Sequence, residues 1–208
     1  MAIRLNGIDT NSTLNVNSDA AHGTYVLADR PELFEPQRTN NFEFVVTDLD
    51  NIMRAGVLGN ETNATIENAQ ELLRLSVVSA PIPHYTQSVI EIKRGNSIVK
   101  VAGTPTFANG QLVCRDFIGA ETKAILMAWQ NLSYNVATEK VGLMSDYKKD
   151  AYLIEYTPDQ QVPRRWRLHG CWISGISESG FSAERNEVNQ VTVTIEFDRG
   201  EIDTSDIV

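Results

Sequence analysis

The segment Leu72–Thr106 constrains the fold most strongly, because it combines three strand-like runs with a proline break. Its first apolar run is stopped by Pro81 and Pro83, neither of which can donate a hydrogen bond to a sheet ladder. Two alternating runs, Ser88–Arg94 and Ser97–Ala102, then flank a Gly-Asn pair, which is the spacing of a β-hairpin. The segment therefore predicts consecutive antiparallel strands joined by tight turns.

Other runs predict further strands and one helix. Asn189–Phe197, NQVTVTIEF, alternates almost perfectly, and Asn41–Thr47 places its apolar residues on one face. Residues 69–79 begin as a helix-compatible run and end as a strand. Ala120–Leu132 has apolar residues at helical spacing and Glu121 in its first turn, where a negative charge suits the helix dipole. The remaining predicted strands are Gln111–Phe117, Ala151–Tyr156, Arg164–Gly170 and Trp172–Ser177.

Because strands dominate and follow one another through hairpins, the pattern favours an antiparallel β-sandwich or barrel over a doubly wound α/β fold. The length of 208 residues fits one domain with appendages. We expect a polar N-terminal arm over residues 1–36, with a possible strand at Thr24–Ala28, and a main domain over residues 37–198. Within it, Gly56–Asn68 is predicted as a loop insertion and Tyr134–Lys149 as a long loop. Arg199–Val208 is predicted to be an acidic, frayed tail.

Composition argues against several functions. The net charge of −9 leaves few cations to neutralise phosphates, so sequence-independent nucleic-acid binding is not expected. No apolar run reaches the ~20 residues of a membrane helix, and the N-terminus lacks a secretory apolar region, so neither membrane association nor secretion is predicted. The three histidines are scattered, and none of the common catalytic or phosphate-binding motifs occurs. No enzyme activity, cofactor or metal is therefore expected. Cys114 and Cys171 lie in apolar runs and are predicted to be buried thiols, with a disulfide possible only if their strands are neighbours.

Two surfaces are candidates for contact with a partner. Arg165 and Arg167 share one face of a predicted strand, which favours contact with an acidic neighbouring subunit, although a solvated strand face has comparable weight. Apolar residues in the long polar loop are unusual in solvent, and they indicate a partner surface. They are Val141, Leu143 and Met144, followed by Tyr147, Lys148 and Lys149.

Four pieces of sequence, in this order, resemble the tail tube proteins of contractile-tailed bacteriophages. Arg38–Val45 resembles the opening strand of that family, and Ser79–Arg94 with Ile98–Thr106 resembles its following strand pair. The third piece joins Trp129-Gln130 to Asp146–Lys149. The last joins Leu168–Ile176 to Asn186–Phe197. The resemblance covers roughly residues 38–198.

The resemblance implies a β-sandwich or split barrel with one flanking helix, six copies of which form a ring. It implies rings stacked into a tube inside a contractile sheath, in a virion assembled in the host cytoplasm. Expected partners are further copies, the sheath, baseplate and tail terminator proteins, and, inside the lumen without specific binding, the tape measure protein and DNA. An acidic lumen wall would repel DNA phosphates. The expected lumen-wall residues lie on the hairpin and the last strand: Glu91, Lys93, Thr192, Thr194 and Glu196.

The residues listed above for partner contact are expected to join subunits, with the 134–149 loop, the N-terminal arm and the 56–68 loop reaching the next ring. Alternatives that share the fold are a type VI secretion tube, a phage-derived injection-system tube, or a ring at one tube end. An alternative from another class is a small ligand-binding β-barrel, which would need a polar cluster in a pocket.

Overall fold

The structure is a computed structural model that describes residues 4–5, 8–9, 36–50, 52–53, 65–118, 121–178, 180–181, 184 and 186–203. The chain divides into two units, Met1–Arg38 and Thr39–Val208. In the first unit, Arg4–Leu5 (β1) and Ile8–Asp9 (β2) pair as antiparallel strands. The predicted strand at Thr24–Ala28 and most of the predicted 56–68 loop lie outside the described residues.

The second unit is mainly β, as the sequence predicts. Its helices are Ala69–Ser76 (α1), Thr122–Ser133 (α2) and Met144–Tyr147 (α3). Its strands, in chain order, are Phe42–Val46 (β3), Ile52–Met53 (β4), Thr65–Ile66 (β5), Val77–Ser79 (β6), Tyr85–Arg94 (β7), Ser97–Phe107 (β8), Gly110–Arg115 (β9), Tyr134–Asn135 (β10), Lys140–Val141 (β11), Lys149–Glu155 (β12), Arg164–Glu178 (β13), Gln190–Glu196 (β14) and Arg199–Ile202 (β15).

The main sheet has seven antiparallel strands in the order β3-β12-β13-β14-β9-β6, with β15 also paired to β13. The long strand β13 serves two groups of strands, because β12 pairs with residues 164–171 whereas β14 pairs with residues 172–178. The prediction of two strands in this region was wrong, since the ladder continues through Gly170. Strands β14 and β15 both pair with the edge of β13 that lies opposite β12. They follow one continuous register along that edge, with Trp172 opposite Glu196 and His169 opposite Arg199.

The core lies between the sheet and helix α2. Val191, Val193 and Ile195 of β14 are fully buried and alternate with more exposed polar residues, as the period of a half-buried strand requires. Helix α2 contributes the buried side chains Ile125, Leu126 and Trp129. The Trp129 indole N–H donates to the backbone oxygen of Tyr147 over 2.8 Å, so the largest core side chain also satisfies its polar atom.

The predicted helix over residues 120–132 is confirmed as α2, although it begins at Thr122. Glu121 is its N-cap, with a left-handed backbone at φ 52°, and does not occupy the first turn. The predicted change from helix to strand over residues 69–79 is confirmed by α1 and β6, so α2 is not the one regular helix. Ser76 and Thr122 are buried and share a hydrogen bond of 2.7 Å that joins α1 to α2.

Two segments predicted as irregular contain regular structure. Residues 134–149 include the short antiparallel pair β10–β11 and helix α3. Residues 199–202 form β15, because the polar sequence Arg-Gly-Glu-Ile finds charged partners on β13. Cys114 and Cys171 are free buried thiols, and burial raises the pKa of each to about 12, which leaves them protonated and unreactive at neutral pH.

Candidate assembly surfaces

The hairpin β7–β8, called the arm below, pairs only with itself among the described strands. Every residue of β7 is exposed, and so is most of β8. Ten residues at about 3.3 Å per residue give the arm a length of about 30 Å. A two-stranded hairpin of this length is marginal in water without a third strand or a covering surface.

The base of the arm is fixed to the core. Pro81 and Pro83, on the segment that enters the arm, approach Gly110 and Gly200 so closely that an added Cβ would lie 2.2 and 2.3 Å from the proline Cβ atoms. The ring centroid of Tyr85 lies 5.5 Å from that of Phe107. The Phe107 ring lies 6.1 Å from that of Phe197, which is buried. The proline segment therefore ends β6 and also fixes the position of the arm relative to the core.

The arm has one apolar face. The register places Ile90 opposite Val101 and Ile92 opposite Val99, so the four side chains share that face. Their exposed fractions are 52%, 44%, 51% and 51%, respectively. We call these four residues the apolar arm face. A contiguous apolar face of this kind on a soluble chain is a candidate interface.

The opposite face of the arm, called the polar arm face, carries its three charged side chains among apolar ones: Val89, Glu91, Lys93, Ile98, Lys100 and Ala102. The Lys100 ammonium lies 3.8 Å from the Glu91 carboxylate, and both side chains are exposed. Glu91 and Lys93, both predicted for the lumen wall, thus share a face. Its charges are mixed, with two lysines and one glutamate, whereas the sequence led us to expect an acidic wall.

The other predicted wall residues, Thr192, Thr194 and Glu196, alternate with the buried residues of β14 and therefore lie on the sheet face away from the core. The Glu196 carboxylate accepts hydrogen bonds from Asn109 at 3.1 Å and from the Ser174 hydroxyl at 3.2 Å. This polar face of β14 is fixed by neighbouring strands, whereas the arm projects beyond them. Which surface either face meets in an assembly stays a prediction.

The two arginines predicted for subunit contact have partners within the chain. Arg165 donates to the Asp203 carboxylate at 2.7 Å, and Arg167 donates to the Asp150 carboxylate at 2.8 Å. Both guanidinium groups also lie within 6 Å of the Tyr152 ring, at 5.6 and 5.8 Å. We expected these arginines to meet an acidic surface of another subunit. Arg165 instead binds Asp203, which belongs to the acidic C-terminal segment of its own chain.

Strand β15 is held by charged side chains and by its ladder with β13, and none of its residues is buried. The His169 ring donates to the Glu201 carboxylate at 2.9 Å, and Arg199 lies 3.3 Å from the same carboxylate. The hydrogen bond from His169 lowers the pKa of Glu201. Lys148, another predicted contact residue, binds the Asp198 carboxylate at 2.7 Å just before β15. Sequence reasoning missed this strand because its partners lie about thirty residues away.

The segment 134–149 exposes the apolar side chains that the sequence singled out. Tyr134 and Val141 are opposite one another in the β10–β11 pair, and the exposed fractions of Val141, Leu143 and Met144 are 78%, 70% and 62%. Tyr147 is half-buried, with its ring 5.9 Å from that of Trp172, and Lys149 is half-buried at the start of β12. Of the six residues predicted for contact in this segment, only Val141, Leu143 and Met144 are therefore strongly exposed apolar residues.

A cleft of about 650 Å³ lies beside β3 and α1. Glu43 binds Arg74 with one carboxylate oxygen and accepts a 2.7 Å hydrogen bond from the Tyr156 hydroxyl with the other. Burial, followed by the hydrogen bond to Glu43, raises the pKa of Tyr156 to about 12. Both carboxylate oxygens of Glu43 are therefore occupied by contacts that join α1, β3 and the segment after β12. This polar cluster has the arrangement of a structural contact.

Within the described ranges, no group of three or more His, Cys, Asp or Glu side chains is arranged to hold a metal ion. In the same part of the chain, no helix has the length and apolarity needed to span a membrane.

A curled antiparallel sheet with a projecting, half-apolar arm defines a subunit built for assembly. The family of the T4-like virus tail tube protein gp19 matches residues 40–201. The chain belongs to this tail tube protein family, and its role is that of a structural tube protein. No curated protein sequence matches the chain.

Solved structures support the fold. The tube-terminating cap of the anti-feeding prophage is similar at a TM-score of 0.57 and 19% identity, over 82% of this chain and 92% of that one. The chain in the sheath-tube complex of the PVC extracellular contractile injection system is similar at a TM-score of 0.55 and 17% identity, over 90% of this chain and 99% of that one. The sheath/tube terminator of the same system is similar at a TM-score of 0.53 and 19% identity, over 81% of this chain and 97% of that one. At these identities the similarity establishes the fold alone.

Proposed function

We propose that six copies of this chain close into a ring by burying the apolar arm face against a neighbouring copy, and that stacked rings form the inner tube of a contractile phage tail. The observation that carries the proposal is the exposed, apolar side of a hairpin that has no other strand beside it in the described structure. Burying four half-exposed aliphatic side chains per subunit would stabilise the ring, because apolar area removed from water contributes about 25 cal/mol per Å².

The arrangement also provides a channel wall. When the apolar arm face is covered by the neighbour, the polar arm face with Glu91 and Lys93 is directed into the lumen, together with Thr192, Thr194 and Glu196 of β14. The lumen is then polar and carries both signs of charge. Such a wall gives phosphates no continuous cationic track, so genome DNA and the tape measure protein pass without specific binding. The sheath, baseplate and tail terminator proteins would contact the outside and the ends of this tube.

A ring at one end of the tube is the second candidate, because a tube-terminating cap and a terminator are among the structures with this fold. An end ring differs from a main tube subunit in one measurable way, since the purified chain would form single rings and no long tubes. A tube of an injection system, carrying protein cargo, shares every structural requirement with the phage tube.

The test compares two substitutions of the same residue type on opposite faces of the arm. Ile92→Asp places a charge on the apolar arm face, and Ile98→Asp places one on the polar arm face, at positions that are 51% and 53% exposed. We expect tubes by negative-stain microscopy from the unchanged chain and from Ile98→Asp, and monomers by light scattering from Ile92→Asp. Tubes from Ile92→Asp would show that the apolar arm face does not join subunits.

A further inference from the structure

A second exposed apolar surface lies at the amino end of helix α2. It consists of side chains that flank the helix start and the β13–β14 connection: Phe117, Ile118, Phe181 and Val188, with exposed fractions of 41%, 103%, 88% and 64%. We call these four residues the amino-end cluster. Sequence reasoning did not single out any of them.

Polar contacts bring the two halves of this cluster to the same end of the sheet. Lys123, in the first turn of α2, binds the Glu178 carboxylate at the end of β13 over 2.7 Å. Asp116 at the end of β9 accepts a hydrogen bond from the Asn189 side chain at 3.3 Å, and its backbone N–H donates to the Asn189 oxygen at 3.1 Å. Phe117 and Val188 are the direct neighbours of this last pair along the chain.

The other end of α2 carries the second surface, the carboxyl-end cluster of Tyr134, Val136, Val141, Leu143 and Met144. The helix separates the two clusters by 12 residues, or about 18 Å at 1.5 Å per residue. A rigid helix of this length keeps the clusters of one subunit apart. The two clusters of one subunit therefore cannot cover each other.

The two ends also differ in charge. Residues 115–123 and 178–189, around the amino-end cluster, hold five carboxylates against three basic side chains. Residues 134–149, around the carboxyl-end cluster, hold three lysines against two carboxylates, and one of these lysines, Lys148, is paired with Asp198 of the same chain. Because the amino end is the more negative of the two, contact between two amino ends is disfavoured, and contact with the lysines of the carboxyl end is favoured.

We propose that the amino-end cluster of each subunit binds the carboxyl-end cluster of a subunit in the next ring, so that rings stack head to tail through these two surfaces. The proposal rests on the proposed tube function and adds to it the surface that receives the 134–149 segment. A heterologous contact of this kind propagates without limit, since every added ring presents the same free end as the last one.

Mixing two blocked variants tests the direction of stacking. Ile118→Asp puts an anion into the amino-end cluster, and Leu143→Asp puts an anion into the carboxyl-end cluster. Each variant alone should give single rings, because a charge in an apolar contact blocks one of its two ends. When preformed rings of the two variants are mixed, they should give pairs of rings and no tubes, because the intact ends can meet only once and the two substituted ends repel each other. Val162→Asp, at an exposed apolar position outside both clusters, is the matched control and should give tubes.

The outcomes separate this proposal from the proposed function. Paired rings from either variant alone would mean that like ends meet, and tubes from both would mean that other surfaces stack the rings. Either result overturns the proposal and leaves the tube function standing. Absence of rings and tubes from the unchanged chain would instead overturn the proposed function, and this proposal with it.

A cysteine pair gives a second measurement that needs no disruptive charge. In the variant Ile118→Cys with Val141→Cys, oxidation of assembled tubes should link chains into long covalent ladders on a denaturing gel. Each single variant should remain unlinked, because Cys114 and Cys171 are buried. A flexible thiol-specific cross-linker, added to the same tubes, removes the need for the two thiols to meet in disulfide geometry, and absence of ladders with this reagent would contradict the direct contact.

Discussion

Strand β14 and the arm have the same alternating sequence pattern, but the apolar face of β14 is buried and that of the arm is half-exposed. In β14, Val191, Val193 and Ile195 alternate with polar residues and are fully buried. In the arm, Ile90 and Ile92 alternate with polar residues in the same way and stay half-exposed. A period of two indicates a strand with one apolar face, but it does not say which chain will cover that face. The difference shows that this chain leaves one of its two apolar strand faces half-exposed, which is the surface that the proposed ring contact would cover.

The sharpest way to test this comparison is to remove the same side chain from each strand. Ile195→Ala deletes a fully buried side chain and leaves a cavity, so we expect the free energy of unfolding to fall by about 2–5 kcal/mol. Urea denaturation of the monomer, followed by tryptophan fluorescence, measures the change. A loss below 1 kcal/mol would mean that β14 is less tightly packed than its burial indicates.

The anchor of the arm should give the next largest effect. In Gly110→Ala the new methyl group meets the Cβ of Pro81 at 2.2 Å, and overpacking of this kind costs about 1–3 kcal/mol. Gly175→Ala is the matched control in the same sheet, because nothing lies within 4 Å of its added Cβ. Thermal unfolding of the two variants should therefore differ, and equal midpoints would mean that Pro81 moves aside without cost.

The arm itself should contribute little to the monomer. Ile92→Ala removes a side chain that is already 51% exposed, so we expect a loss of under about 1 kcal/mol in the same urea experiment. Tube formation should nevertheless require a higher protein concentration, as sedimentation of assembled material would show. A stability loss equal to that of Ile195→Ala would break the comparison, because it would mean that the arm is already packed within one chain.

The smallest effect concerns β15 and pH. The pKa of Glu201 is lowered below its usual 4.5 by the hydrogen bond from His169, so the carboxylate stabilises the fold above pH 4.5. This contribution is lost as the pH falls through the lower folded pKa. The urea midpoints of the unchanged chain and of Glu201→Gln should differ at pH 6, and the difference should shrink as the pH falls below 4.5 and through the lowered pKa of the folded chain. If the difference in urea midpoint stayed constant over this pH range, the contact between Glu201 and His169 would not depend on ionisation of the carboxylate.

Local patterns predicted the elements whose partners are close in sequence. The hairpin around Gly95 and Asn96, the alternation of Asn189–Phe197 and the apolar stripe of α2 all appear in the structure. β15 was missed because Arg199–Ile202 has no apolar periodicity and is held by charged groups on distant strands.

The candidate surfaces follow the same division. The exposed residues Val141, Leu143 and Met144 were predicted from their apolar character in a polar loop. The acidic partner of Arg165 could not be placed from sequence, since Asp203 is 38 residues away. The amino-end cluster was missed because its members come from two segments that only the sheet brings together.

The shared strand β13 has a consequence for how this protein can change over generations. Because β12, β14 and β15 all take their register from it, one inserted residue within Arg164–Glu178 would turn buried side chains such as Leu168 and Ile173 toward solvent on one side of the insertion. Insertions and deletions should therefore be purged from β13 during descent. They should accumulate instead at exposed turns such as residues 158–161, because a turn outside the sheet can change in length without shifting the register of any strand.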